Sequence, residues 1–253
     1  MTHPADRLFH RLQAVLDLPP EDRRTLEGAF IRCETVPAGT VLVREAEPNR
    51  IGFLIASGWA MRERHLRDGS RQVINFLVPG DLSEPGAFVT DDADHTVTTL
   101  TEAKVCRFTH RDWFMAMTAT RPLSAALWWL SAHEEAVVKE HLVSIGRRSS
   151  RNRLLYLLWE LWRRLRMAGL AENGSFTFPV GREVLADATG LTPRHLGRVL
   201  AEVRGSDILT LERGRVHIHD PARLLTEIDC RDVYLQITPI AESLREVLRQ
   251  PRP

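Results

Sequence analysis

The chain has 253 residues, 43% of them hydrophobic, with 34 Lys+Arg against 33 Asp+Glu for a formal net charge of +1. That length supports two compact units with a core each, and the overall charge by itself points to no polyanionic partner. No apolar run approaches the roughly 18 residues of a membrane span, the amino terminus MTHPADRLFHRL lacks a signal-peptide core, and a soluble protein of the cytoplasm is expected.

A short helical start over residues 4–30 leads into strand-length pieces at 31–36, 41–45, 51–56, 60–66, 72–77, 96–100 and 104–108. Turn signals separate them: Ala38-Gly39, Pro48-Asn49, Ser57-Gly58, Asp68-Gly69 and Pro79-Gly80. Gly58, Gly69 and Gly80 are evenly spaced, and short strands in that rhythm predict a small antiparallel barrel or double-sheet jelly roll with room for a ligand at its mouth.

Residues 122–145 read as one helix of roughly 36 Å. Its stripe of Leu123, Leu127, Leu130, Val137, Val138, Leu142 and Ile145 runs close to a heptad, interrupted by Glu134 and His141. Such a stripe predicts a seam with a second copy of the chain, although packing on the chain's own barrel would use the same residues. Gly146-Arg147-Arg148-Ser149 then breaks the helix. A new stripe follows in Leu154, Leu158, Leu161 and Leu165, with Trp159 and Trp162 expected in a core and Arg151, Arg153, Arg163, Arg164 and Arg166 on other faces.

Residues 182–201, REVLADATGLTPRHLGRVLA, have the pattern of two short helices joined at a glycine. Ala186 is small where the helices cross, and Gly190 stands where the chain must reverse through a positive φ. Thr192 caps the second helix, Pro193 suits its first turn, and Leu196, Val199 and Leu200 form its inner face. Arg194, His195, Gly197, Arg198 and Glu202 remain for solvent or for bases. An arginine fork can bond guanine O6 and N7 together, which a lysine cannot. Short strands at 175–180, 208–211 and 216–219 flank the pair and complete a winged helix-turn-helix, with Arg213 and Arg215 at the wing tip beside phosphate. Charge follows this division: residues 1–146 hold 16 Lys+Arg against 20 Asp+Glu, or −4, whereas residues 147–220 hold 13 against 8, or +5. Double-stranded DNA is the partner such a patch fits. Residues 220–228 predict a closing helix and residues 241–249 an amphipathic one.

Cys33, Cys106 and Cys230 are odd in number, far apart and without a CxxC pair, which predicts neither a disulfide framework nor a zinc site. Cys106, in a strand, lacks the electropositive surroundings of a reactive thiol. No nucleophile triad, phosphate loop or carboxylate pair stands out, so no enzyme and no cofactor is expected. A metal-binding cupin is the competing reading, but the single His-x-His, His217 and His219, falls on the wing, where strand alternation explains it.

In its whole order the chain resembles the Crp/Fnr family of bacterial transcription regulators over about residues 25–228. The resemblance is carried by Gly39, Gly58, Gly69 and Pro79-Gly80-Asp81, by GRRSSRNRLLYLL, and most specifically by LADATGLTPRHLGRVL. It implies an α+β chain: an antiparallel β-barrel or jelly-roll domain, sensor-like, at 1–121, a dimerisation helix at 122–146, a winged helix-turn-helix at 147–228 and an extension at 229–253. It further implies a homodimer on a near-palindromic site that recruits or blocks RNA polymerase. Two departures bear on the effector. Members that bind cyclic nucleotides clamp them with Gly-Glu and Arg-Ser. Here Ser83-Glu84 only partly resembles the first pair, and Asp91-Asp92-Ala93-Asp94-His95-Thr96 stands where the arginine belongs, so an anion would be repelled. The closely spaced amino-terminal cysteines of the iron-sulfur branch are missing, and His65, His95 or His110 would have to serve any haem. In the recognition helix the family's arginine matches Arg198, while Arg194 replaces a frequent glutamate.

Overall fold

The computed structural model describes residues 3–30, 32–83, 91–230 and 240–249. Among the described residues, helices α1 (Asp6–Gln13) and α2 (Pro20–Gly28) precede seven strands: β1 (Arg32–Val36), β2 (Val41–Val43), β3 (Ile51–Ser57), β4 (Ala60–His65), β5 (Arg71–Leu77), β6 (Thr96–Thr99) and β7 (Ala103–Thr109). They form two antiparallel sheets, β1-β7-β3 and β2-β6-β4-β5. The jelly-roll form of the prediction is therefore correct; among the described residues there is no closed barrel. Gly58 shows why the turn glycines were informative: it sits at φ +80°, and a Cβ there would run into the Glu102 carbonyl and Ala103.

Strand alternation sends side chains to three separate layers. Val43, Phe53, Ile55, Ala60, Leu77, Val97 and Val105 meet between the sheets. Leu54, Cys106 and Phe108 point the other way, under α1, α3 (His110–Ala119) and the first turns of α4 (Arg121–Arg147). Trp59, Met61, Val73, Phe76 and Val78 leave the second sheet to join a core with α5 (Ser150–Met167). That core extends through α6 (Arg182–Thr189), α7 (Pro193–Arg204) and the sheet β8-β10-β9, built from β8 (Ser175–Thr177), β9 (Leu209–Glu212) and β10 (Arg215–Ile218). The two halves of the chain thus share apolar packing. Trp159 and Trp162 are buried in it as expected.

Several expectations change. Helix α3 escaped the reading, although its cap is legible afterwards: the Asp112 amide donates to Thr109 Oγ1 at 3.1 Å. Gly146 lies inside α4, and the break comes at Arg148, with Ser149 capping α5. Leu123, Leu127, Leu130 and Val137 are buried within the chain itself, the first three under the β1-β7-β3 sheet. Only Val138, Leu142 and Ile145 of the predicted seam face outward, joined by Trp128 and Val143. Arg164, expected on a face other than the leucine stripe, is nonetheless only 5% exposed. Cys33 and Cys106, expected to be unpaired, form a disulfide, because the β1–β7 register sets them opposite one another despite 73 residues of separation. The closing helix α8 (Pro221–Glu227) and the last helix α9 (Glu242–Arg249) lie where predicted, and the Ile240 amide donates to the Val15 carbonyl at 3.0 Å. Glu84 and residues 232–239 fall outside the described residues.

The polar residues that broke the α4 stripe belong to a buried charge network. Asp81, 1% exposed, is paired by Arg11 of α1 and by Arg164 of α5, the latter at 2.5 Å, and also accepts from the Val78 amide at 2.7 Å. Arg164 continues to Glu160 at 2.7 Å, and Glu160 to His141 of α4, whose other ring nitrogen is 3.0 Å from the Ile74 carbonyl. Arg62 donates to the carbonyls of Leu82 and Ser83 at 2.7 and 2.6 Å and lies 3.4 Å from Glu134. Burial alone would raise the Asp81 pKa, but Arg164 and then Arg11 outweigh it and hold it down to about 2. Burial disfavours a charged His141, yet Glu160 and the Ile74 carbonyl raise its pKa, as acceptors on both ring nitrogens require.

The linkage signs follow. Asp81 contributes stability above its unfolded value of 3.8 that disappears as pH falls toward about 2. His141 contributes stability below 6.5 that disappears as pH rises through its raised folded value. Urea titrations are expected to show stability declining on both flanks, the alkaline decline vanishing in His141→Gln. Asp81→Asn is expected to cost about 3 to 5 kcal/mol, since two buried guanidinium groups lose their partner. A cost below about 1 kcal/mol would contradict the network's role.

Candidate nucleic-acid interface

The pair α6–α7 is organised by local chemistry. Gly190 adopts φ +63° at the α6 C-terminus, and its amide returns to the Ala186 carbonyl. Thr192 accepts from the His195 amide at 3.2 Å, with Pro193 opening α7. Leu196, Val199, Leu200 and Val203 are buried, and Leu185 and Ala186 present the facing surface. Thr192, Arg194 and Arg198 are exposed on the opposite side, with His195 and Gly197 half-buried at its margin. Arg194 and Arg198 are four residues apart, hence one above the other on one face. Among the described residues neither is committed to an ion pair. By contrast Arg151, lower on α5, is taken up by Glu227 and Glu202.

The wing is a two-residue hairpin. Glu212 pairs with Arg215, and the residues between them, Arg213 and Gly214, have φ of +48° and +72°. Such a turn favours asparagine or glycine at its first central position; an arginine there holds a left-handed backbone at a cost of order 1 kcal/mol. The Phe178 amide donates to the Gly214 carbonyl at 2.8 Å and ties the tip to the chain after β8. Arg213 and Arg215 both reach solvent. Exposed arginines on a capped helix and on a hairpin tip form a surface suited to a groove and its flanking phosphates.

A second contact fixes the orientation of this unit, and the sequence did not reveal it. Arg71 of β5 pairs with Asp187 of α6 at 2.7 Å, and the Gln72 amide group donates to the Asp187 carbonyl at 3.0 Å. Arg153 donates to the carbonyl of Thr189 at 3.3 Å, just before the turn glycine. Residue pairs 116 and 36 positions apart leave no local signature. On the β domain, Asp91, Asp92 and Asp94 are exposed and no arginine or lysine lies among residues 91–96. Among the described residues no group of His, Cys, Asp and Glu is arranged to hold a metal ion, and no helix is long and apolar enough to cross a membrane. His217 and His219 meet hydroxyl groups instead, Ser175 at 2.5 Å and Thr210 at 2.7 Å.

Comparison with known proteins assigns both units. Residues 33–120 match the cyclic nucleotide-binding domain, and residues 152–227 match the Crp-like helix-turn-helix domain. The transcriptional activator protein FnrL of Cereibacter sphaeroides is 30% identical over 195 residues, which is 75% of this chain and 77% of that one. The transcriptional activatory protein AadR of Rhodopseudomonas palustris is 27% identical over 211 residues, covering 82% and 85%. Among solved structures, FixK2 from Bradyrhizobium japonicum superposes with a TM-score of 0.68 at 21% identity, over 77% of this chain and 96% of that chain, and supports the fold. A double-sheet fold of the cyclic nucleotide-binding type, a long connecting helix and a capped winged helix-turn-helix, joined in this order in a chain 30% identical to FnrL, make this protein a DNA-binding transcription regulator of the Crp/Fnr family.

Proposed function

We propose that the chain acts in the cytoplasm as a homodimer, reads a near-palindromic DNA site with one α7 helix per subunit, regulates RNA polymerase from there, and catalyses no reaction. The observation that carries the reading is the pair of exposed, uncommitted arginines on α7, Arg194 and Arg198, held by a rigid cap and an apolar inner face. Arg198 is assigned to a guanine edge and Arg194 to guanine or phosphate, while Thr192, His195 and Gly197 line the approach. Arg213 and Arg215 are assigned to backbone phosphates. The backbone cost of Arg213 supports that assignment, since a turn selected for stability alone would carry a residue better suited to positive φ.

Dimerisation is assigned to the outward face of α4. Trp128 is 77% and Leu142 73% exposed, and Val138, Val143 and Ile145 extend the same apolar surface. Trp128 and Leu142 are two heptads apart and so fall on one face of the helix, as seam residues do. A twofold seam fits the twofold symmetry of paired half-sites. The division at 1–121, 122–146, 147–228 and 229–253 follows from these roles, although the apolar core crosses the sensor boundary. FnrL and AadR are both named as activators, which supports a productive contact with polymerase.

Four outcomes are expected. Arg198→Ala weakens binding to the preferred site by about 1 to 3 kcal/mol and relaxes one base position. Arg213→Asn weakens binding on specific and random DNA alike while raising thermal stability, so its two effects have opposite sign; equal losses for both variants on both DNAs would refute the division of labour. Leu142→Glu yields a folded monomer by sedimentation, with a matching loss of affinity for paired half-sites. Cyclic AMP is expected to produce no melting shift, and a large shift would overturn the reading of Asp91, Asp92 and Asp94.

A further inference from the structure

Cys33 and Cys106 join the first strand of the sensor to the last. Their surroundings differ. β1 lies at the edge of its sheet and Cys33 is exposed, whereas Cys106 sits on the central strand, fully buried, with Leu54 opposite it on the other side. A reagent in solution therefore reaches one sulfur and not the other. Cys230, the remaining cysteine, is buried and lies outside the disulfide.

We propose that Cys33 and Cys106 form a reversible thiol-disulfide site that exchanges with a small-molecule disulfide of the glutathione class. In the forward direction the Cys33 thiolate attacks one sulfur of the small disulfide. The S–S bond of that molecule breaks, and the leaving thiolate takes up the proton that Cys33 released. The Cys106 thiolate then attacks Sγ of Cys33 in the mixed disulfide, forming the Cys33–Cys106 bond and expelling the second small thiol, which gains the Cys106 proton. Two protein thiols are oxidised and one small disulfide is reduced to two thiols. Excess reduced thiol drives the reverse reaction, entering at Cys33. The expectation that both states are visited rests on the proposed cytoplasmic setting, where disulfides are uncommon and those that occur serve redox sensing or catalysis.

The position gives the exchange a structural consequence. β1 follows directly on α1 and α2, and α1 supplies both Arg11, which grips Asp81, and Arg7, which donates to the Ala168 carbonyl at the end of α5 at 2.7 Å. The disulfide fixes the root of the segment that bridges the sensor and the DNA-binding unit. It also spans 73 residues of chain, so oxidation shrinks the unfolded ensemble and stabilises the folded state.

The test uses the full-length protein equilibrated in reduced and oxidised glutathione at varied ratios, followed by denaturing alkylation, mass spectrometry and thermal melting. The expected result is a reversible passage from three alkylated thiols to one, with a cross-linked peptide containing Cys33 and Cys106 and a higher melting temperature for the oxidised form. Cys106→Ser should stop at a single glutathione on Cys33, and Cys33→Ser should take up none. Three thiols alkylated at every ratio, a cross-link that excess reduced glutathione never opens in the folded protein, or a glutathione adduct on Cys33 of the unmutated chain without cross-link would each overturn the proposal. The thiol count is independent of DNA binding, so failure here is distinguishable from failure of the regulator reading. Should a serine variant not fold, the titration of the unmutated protein decides the matter alone.

Discussion

The carboxylate of Asp81 is the constraint on which the arrangement of this molecule depends. It follows the turn at Gly80, where the backbone runs at φ +97°, and it is enclosed by guanidinium groups from two helices far apart along the chain, Arg11 of α1 and Arg164 of α5. Removing a carboxylate from water costs several kcal/mol. Here that cost is offset only if both arginines and the Val78 amide arrive together, which requires α1, the sensor and α5 to meet in one geometry. The pairing is thus less a source of net stability than a condition on relative position. The same condition sets where the DNA-reading face points, because α5 carries α6 and α7 on its other side.

Around that centre the apolar packing is permissive and the polar contacts are selective. Trp59 makes edge-on aromatic contacts with Phe76 of its own domain at 6.3 Å and, across to the winged unit, with Phe178 at 6.1 Å. Such surfaces tolerate sliding. Arg71 on Asp187, and His141 between Glu160 and the Ile74 carbonyl, do not. A helix-turn-helix docked onto strand β5 by an ion pair and a hydrogen bond is positioned by the β domain.

Legibility in the sequence followed the range of the interactions. The strands were visible because left-handed glycines at Gly39, Gly58, Gly69 and Gly80 punctuate them, and α7 because its cap, proline and apolar stripe are all local. The long helix was harder. Leu123, Leu127 and Leu130 serve an intramolecular core while Trp128, Val138 and Leu142 face out, and one heptad-like stripe contained members of both sets. Helix α3 has only a short capped stretch with Trp113 and Ala116 inward, too brief for periodicity to announce it. The charge network was invisible, since Arg11 and Asp81 are 70 positions apart and Asp81 and Arg164 are 83. Glu134 and His141 looked like flaws in a seam. They are the polar side of a buried interface. The same reason hid the disulfide: spacing along the chain carries no record of β1–β7 register.

The central claim is that two arginine-bearing helices related by a twofold axis enter successive major grooves. Selection of bound sequences from a random duplex pool by the full-length protein examines it most directly. The account predicts enrichment of inverted half-sites about one helical turn apart, with a guanine in each half-site that loses its preference in Arg198→Ala. Enrichment of a single asymmetric element, or of nothing beyond charge-driven retention that fades uniformly with salt, would contradict it.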